Sequence, residues 1–148
     1  MKKTLETNSP EETERIASDL ARTLPPGSVV ALYGDLGAGK TVFARGFARG
    51  LGITEPLSSP TFTIVQEYPV PGGGNLYHLD LYRIDNSDAA LAFGVDEFLN
   101  DPEARILLEW PERIEDILPE GTIRITIHHA GEGRRRLELP VETGADDE

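Results

Sequence analysis

Apolar residues spaced by four open the chain. Ile16, Leu20 and Leu24, with Ala17 and Ala21 beside them, form one stripe and predict a helix over residues 9–24. Ser9 is placed to cap it, Pro10 fits the first helical position, and Glu12 completes a capping box. "PPG" at 25–27 stops it. "SVVALY" (28–33) is a continuous apolar run suited to a strand covered on both faces. A glycine-rich loop follows, and then a second helical pattern at 40–52, with Phe43, Phe47 and Leu51 on one face and Gly52 at its end.

Beyond residue 60 the period changes to two. "PTFTIVQEY" (60–68) and "NLYHLDLY" (75–82) alternate across "PVPGGG", which predicts a hairpin with one wet face. Residues 86–99 predict two short helices broken at Gly94. "RILLEW" (105–110) reads as another buried strand, and "PERIEDIL" (111–118) as a short helix. A second hairpin is predicted from 122–129 and 135–141 across "AGEG". Residues 4–7 read as an edge strand, and no internal repeat is present. Buried strands alternating with helices predict an α/β fold. Such a fold has three layers, a central mainly parallel sheet and added antiparallel hairpins.

Composition changes this picture little. With 148 residues, 39% apolar and 27% charged, one domain over 1–141 is expected, followed by an acidic, frayed tail at 142–148. The formal net charge of −12 argues against unaided binding to nucleic acid, whose phosphates require Lys/Arg patches. Without cysteine, disulfides, thiolate metal sites and a thiol nucleophile are excluded. No apolar run reaches membrane-spanning length, and residues 1–12 lack the apolar core of a signal peptide, so a soluble cytoplasmic protein is expected.

The strongest chemical signal is "GDLGAGKT" (34–41), which fits G-x-x-x-x-G-K-[ST] and sits between a predicted buried strand and a predicted helix. Glycines 34, 37 and 39 let backbone N–H groups turn toward phosphate oxygens, and the helix N-terminus adds its dipole. Lys40 is then the residue that reaches the β- and γ-phosphates, and Thr41 offers its hydroxyl to Mg²⁺.

Such a loop needs an acidic partner at the end of a neighbouring strand. Glu109 follows the continuous run Ile106–Leu108 and is assigned to the metal. Asp80, on an alternating strand, is held as a second acid that orients the attacking water or binds a metal-bound water. His78, Asp80 and Tyr82 are expected to share one strand face, with His78 as a hydrogen-bonded structural group.

"GDLGAGKT", "SPTFTIV", "YHLDLYR" and "LLEWPE", in this order and spacing, resemble the TsaE (YjeE) family from about Ser9 to residues 133–135. The resemblance implies a bacterial ATPase needed to make threonylcarbamoyladenosine beside the anticodon of tRNAs that read codons beginning with A. It implies ATP and Mg²⁺ as cofactors and the TsaB and TsaD proteins as partners, TsaD performing the transfer and tRNA being met only through that complex. Carried over by motif, Gly37, Ala38, Gly39, Lys40, Thr41 and Val42 bind nucleotide, with Glu12 and Arg134 near it. Thr41, Glu109 and Asp80 lie near the metal, and Lys40, Asp80 and Glu109 are the catalytic set. Trp110 belongs to the same "EW" motif, and "SPTF" (59–62) resembles a segment that senses the γ-phosphate. Many relatives carry a second Thr where this chain has Val42.

The residues alone leave other classes open. One is a small-molecule kinase with its acceptor at the "SPTF"/"HLDLYR" face. The other is a nucleotide-stabilised binding module without turnover. No second domain or lid is evident that would hold an acceptor, which favours a nucleotide switch that acts on protein partners.

Overall fold

The computed structural model describes residues 2–34, 39–57 and 64–140. Gly37, Ala38, the 58–63 segment and the tail expected at 142–148 lie outside them. Seven strands form one sheet: β1 (Lys2–Thr7), β2 (Val29–Tyr33), β3 (Val65–Pro69), β4 (Asn75–Asp80), β5 (Arg105–Glu109), β6 (Ile123–His129) and β7 (Arg135–Pro140). Their order across the sheet is β1-β7-β6-β2-β5-β4-β3. The central four, β6, β2, β5 and β4, are parallel. Antiparallel β7 and β1 extend one edge, and antiparallel β3 the other. Both predicted hairpins are present.

Helices α1 (Pro10–Thr23) and α2 (Lys40–Gly50) cover one face; α3 (Ser87–Ala92), α4 (Val95–Leu99) and a 3-10 helix, Pro111–Ile117, cover the other. The strands divide their side chains accordingly. Val30, Leu32, Leu76 and Leu107 join Ala17, Ala21, Phe43 and Phe47 in one core. Ala31, Leu79, Ile106 and Leu108 join Ala90, Val95 and Ile114 in the other. Covering on both faces is why the β2 and β5 runs are uninterrupted.

The same arrangement corrects the reading of β4 as half wet. Leu76, Tyr77, His78 and Leu79 are all buried, because β4 pairs in parallel with β5 instead of lying at an edge. Its alternation marks a polar residue inside the core face, not a solvent face. The strand also ends at Asp80, so Tyr82 lies in the following turn, half exposed, and is not a third residue on that face.

Helix ends follow the local code. Ser9 Oγ accepts from the Glu12 N–H at 3.2 Å, and Glu12 Oε1 accepts from the Asn8 N–H at 2.7 Å, one residue upstream of the usual reciprocal partner. Between α1 and α2 the backbones nearly touch. A Cβ added at Gly46 would fall 2.3 Å from the Glu14 carbonyl oxygen, and one at Gly50 would fall 2.3 Å from that of Ser18. Neither neighbour can swing away, since both are helix backbone.

Gly46→Ala should therefore destabilise the protein by about 2 kcal/mol in urea unfolding, as an overpacked core does. Alanine's better helix propensity, about 1 kcal/mol, offsets only part of the clash. Arg45→Ala, one residue away and removing only an exposed ion pair with Glu14, should cost less than about 1 kcal/mol. Equal midpoints for the two variants would show that the helices separate freely.

Candidate functional site

Three strands of the parallel sheet end level with one another. Leu32 of β2 pairs with Glu109 of β5, and Glu109 pairs with Asp80 of β4. The rung is extended by the Leu81 N–H, which donates to the Glu109 carbonyl at 3.1 Å. The chain leaves β2 through Gly34, and on the far side of the glycine motif stands Gly39, whose φ of 105° is open to glycine and strained for other residues. Gly39 is the N-cap of α2, and Lys40 and Thr41 are its first two residues. The loop's descending limb and both carboxylates thus meet at the carboxyl end of the sheet, where α/β folds bind ligands.

Lys40 is 6% exposed, and its Nζ sits 4.3 Å from the centroid of the Trp110 ring. The indole face supplies the cation–π attraction that a buried ammonium needs. Trp110 directly follows Glu109, so the same contact brings Lys40 to the end of β5. Trp110 is the one non-glycine with positive φ among the described residues (φ 60°, ψ 47°), a conformation costing about 1–2 kcal/mol. Its ring is held by Tyr82, 5.1 Å away, and by the Arg113 guanidinium at 5.5 Å. Thr41 is exposed, and Val42 is partly buried on α2.

The two acids differ in their fixings. Glu109 Oε2 is 2.7 Å from His78 Nε2, with side chains 12% and 6% exposed. Asp80 Oδ1 accepts from the Tyr82 N–H at 3.1 Å, which closes a tight turn after β4. Both strands are buried and parallel, so strand character does not separate the two carboxylates as the alternation of β4 had implied. Their hydrogen bonds do. His78, expected to be structural, is the partner that ties one acid to the strand beside it.

Glu12 and Arg134 lie in adjacent segments. Thr7 pairs with Arg135 across β1 and β7, and a Cβ on Gly133 would lie 3.5 Å from the Asn8 carbonyl oxygen. Arg134 is exposed in the β6–β7 turn, its Cδ 3.7 Å from a Cβ built on Gly131. Its neighbour Arg135 goes further: its Nε lies 3.2 Å from where a Gly39 Cβ would stand. Motif reading did not single out this contact. Pairing with His129 of β6 and with Thr7 of β1 sets the place of Arg135 in the sheet.

Tyr33, the last residue of β2, is tied to the 3-10 helix. Its hydroxyl donates to Glu115, and Arg124 donates to Tyr33 Oη at 3.3 Å and to Glu115 at 3.1 Å. Burial, and then the bond to Glu115, push the phenol up to about 12, so it remains a donor at neutral pH. The segment leading into the glycine loop is thereby anchored to the one that carries Trp110.

The family model of TsaE, "Threonylcarbamoyl adenosine biosynthesis protein TsaE", matches residues 7–137. The chain belongs to the TsaE family. Among curated TsaE proteins, each named a tRNA threonylcarbamoyladenosine biosynthesis protein, that of Bacillus subtilis (strain 168) is 46% identical over 131 residues, 88% of this chain and 80% of the relative. That of Treponema pallidum (strain Nichols) is 38% identical over 131 residues, 88% of this chain and 95% of the relative. The crystal structure of Bacillus subtilis YdiB superposes with a TM-score of 0.77 at 40% identity, covering 94% of this chain and 84% of that one. The three-layer α/β fold expected from the alternation of strands and helices is the fold of this TsaE chain, and it is P-loop NTPase-like, as the glycine motif after β2 requires. Among the described residues no helix is long and apolar enough to cross a membrane.

Gly39→Ala tests the loop's geometry apart from its charge. The added methyl meets Arg135 and forces a strained φ, at about 1–3 kcal/mol. Nucleotide binding by calorimetry should fall sharply, while the far-UV circular dichroism stays unchanged. Unimpaired binding would mean that the Gly39 conformation is dispensable.

Proposed function

We propose that this TsaE chain is a Mg²⁺-dependent ATPase, working in the cytoplasm as a single domain over residues 1–141, that serves tRNA threonylcarbamoyladenosine formation. It acts by binding and resetting the TsaB–TsaD complex and meets tRNA only through that complex. The observation that carries the reading is that Asp80 and Glu109 share one register rung, while Lys40, in the first turn of α2 after Gly39 and beside Thr41, lies against the ring of Trp110, the residue that follows Glu109. The pathway is supported by the names of the relatives.

The donor set fits the metal. Mg²⁺ takes one or two carboxylates plus phosphate and water oxygens instead of an all-protein cage. Glu109, Asp80 and the exposed Thr41 hydroxyl are oxygen donors of that kind. Among the described residues no cluster of three or more His, Cys, Asp or Glu side chains forms a cage. When bound, Mg²⁺ would neutralise charge on the β- and γ-phosphates.

The protein's own residues do the rest. The loop's N–H groups, including those of Gly37 and Ala38, cradle phosphate oxygens at the positive end of α2, beside Val42. Lys40 exchanges the Trp110 face for the phosphates and places its charge where the transition state needs it. Glu109 and Thr41 hold the metal side, and Asp80 orients water. Glu12 and Arg134 border the nucleotide, with Arg135 against the loop's last glycine. The 58–63 segment, outside the described residues, is proposed to respond to the γ-phosphate and to report it to the partners.

Turnover should be slow for the protein alone and rise when purified TsaB and TsaD are added. Lys40→Ala should abolish both rates without unfolding, because Lys40 supplies charge at the phosphates. Phosphate transfer to an added metabolite, or no turnover even with partners, would overturn the proposal.

The acids should separate in the same assay. Glu109→Ala should weaken the Mg²⁺ dependence of nucleotide binding, and Asp80→Ala should lower kcat more than affinity. The reverse pattern would exchange their roles.

A further inference from the structure

We infer that His78 is the positioning residue for Glu109, holding one carboxylate oxygen so that the other faces the nucleotide site. The inference rests on the proposed role of Glu109 at the metal side. His78 lies two residues before Asp80 on β4, one rung below the Asp80–Glu109 pair, opposite Leu107. Its parity is that of Leu76, so it occupies the α1/α2 face of the sheet, inside an otherwise apolar layer. From there Nε2 donates to Glu109 Oε2 at 2.7 Å.

The other ring nitrogen makes the case. Nδ1 is buried and has no hydrogen-bond partner among the described residues. A residue kept only for packing would be apolar here, as Leu76 and Leu107 are, because burying a polar atom without a partner is costly. Among the described residues the imidazole makes one side-chain hydrogen bond, the one from Nε2 to Glu109. That bond fixes the rotamer of a carboxylate at a strand end, where a free Glu would sample several. Ligating carboxylates depend on such outer partners, and loss of one typically costs 10–100-fold in metal affinity or activity.

The test compares His78→Leu, which fills the site but removes the donor, with His78→Gln, whose Nε2–H mimics the imidazole Nε2–H. Mg²⁺ is titrated against binding of a fluorescent N-methylanthraniloyl ATP, and urea unfolding is recorded for each variant. His78→Leu should raise the half-saturating Mg²⁺ by about 10–100-fold, leaving metal-free nucleotide affinity unchanged. His78→Gln should restore most of the loss. In the Glu109→Ala background, His78→Leu should add nothing.

An equal shift from His78→Leu with and without Glu109 would overturn the inference. So would normal Mg²⁺ dependence in His78→Leu when Glu109→Ala is impaired. Should Glu109→Ala itself leave Mg²⁺ dependence intact, the proposed metal role of Glu109 falls first, a result distinct from either. If His78→Leu does not fold, a folded His78→Gln with Mg²⁺ dependence as weak as that of Glu109→Ala overturns the inference, and near-normal dependence supports it.

Discussion

Parallel pairing of β5 between β2 and β4 is the constraint on which the rest depends. The ladder fixes Leu32, Glu109 and Asp80 on one rung, so three loops leave the sheet at the same height. A slip of one residue in β5 would turn Glu109 toward the opposite layer and bury it among Leu108's neighbours. The apolar runs of β2 and β5 prevent that slip, because every rung they share is packed on both faces. Core hydrophobicity and site geometry are here the same fact, seen at two ends of one strand.

Lys40 shows how the site stores charge without water. An ammonium at 6% exposure is expensive unless something offsets it, and the Trp110 ring does so. The indole reaches that place only because Trp110 adopts a left-handed backbone immediately after β5. Tyr82 and Arg113 hold it there, and Tyr33, Glu115 and Arg124 tie the following 3-10 helix to the strand that feeds the glycine loop. Local strain is thus over-determined by contacts from three elements.

Much of this was legible in residue pattern. The helical stripe of Ile16 and Leu20, the Ser9 cap, the two hairpins and the buried β2 and β5 follow from periodicity and punctuation. The glycine loop and the two acids follow from motif chemistry. What pattern could not give is pairing. β4 alternates because His78 replaces an apolar residue on a buried face, and single-strand periodicity cannot tell that from solvent exposure. The Arg135–Gly39 approach joins residues 96 positions apart, counting 135 − 39, and neither segment encodes it alone. The left-handed Trp110 is likewise silent in sequence, since bulky residues rarely take that conformation.

The bare backbone contact of α1 with α2 has a mechanical meaning. Two helices separated by side chains can slide, because rotamers yield; two that touch at Gly46 and Gly50 can move along their axes only by lifting apart. Helix α2 therefore behaves as a stop. A push delivered at its first turn, where Lys40 and Thr41 sit, would meet the backbone of α1 at Gly46 and Gly50 with no intervening side chain to yield. The same two glycines leave no vacancy for a methyl group, so the stiffness of this anvil is set by atoms that are missing.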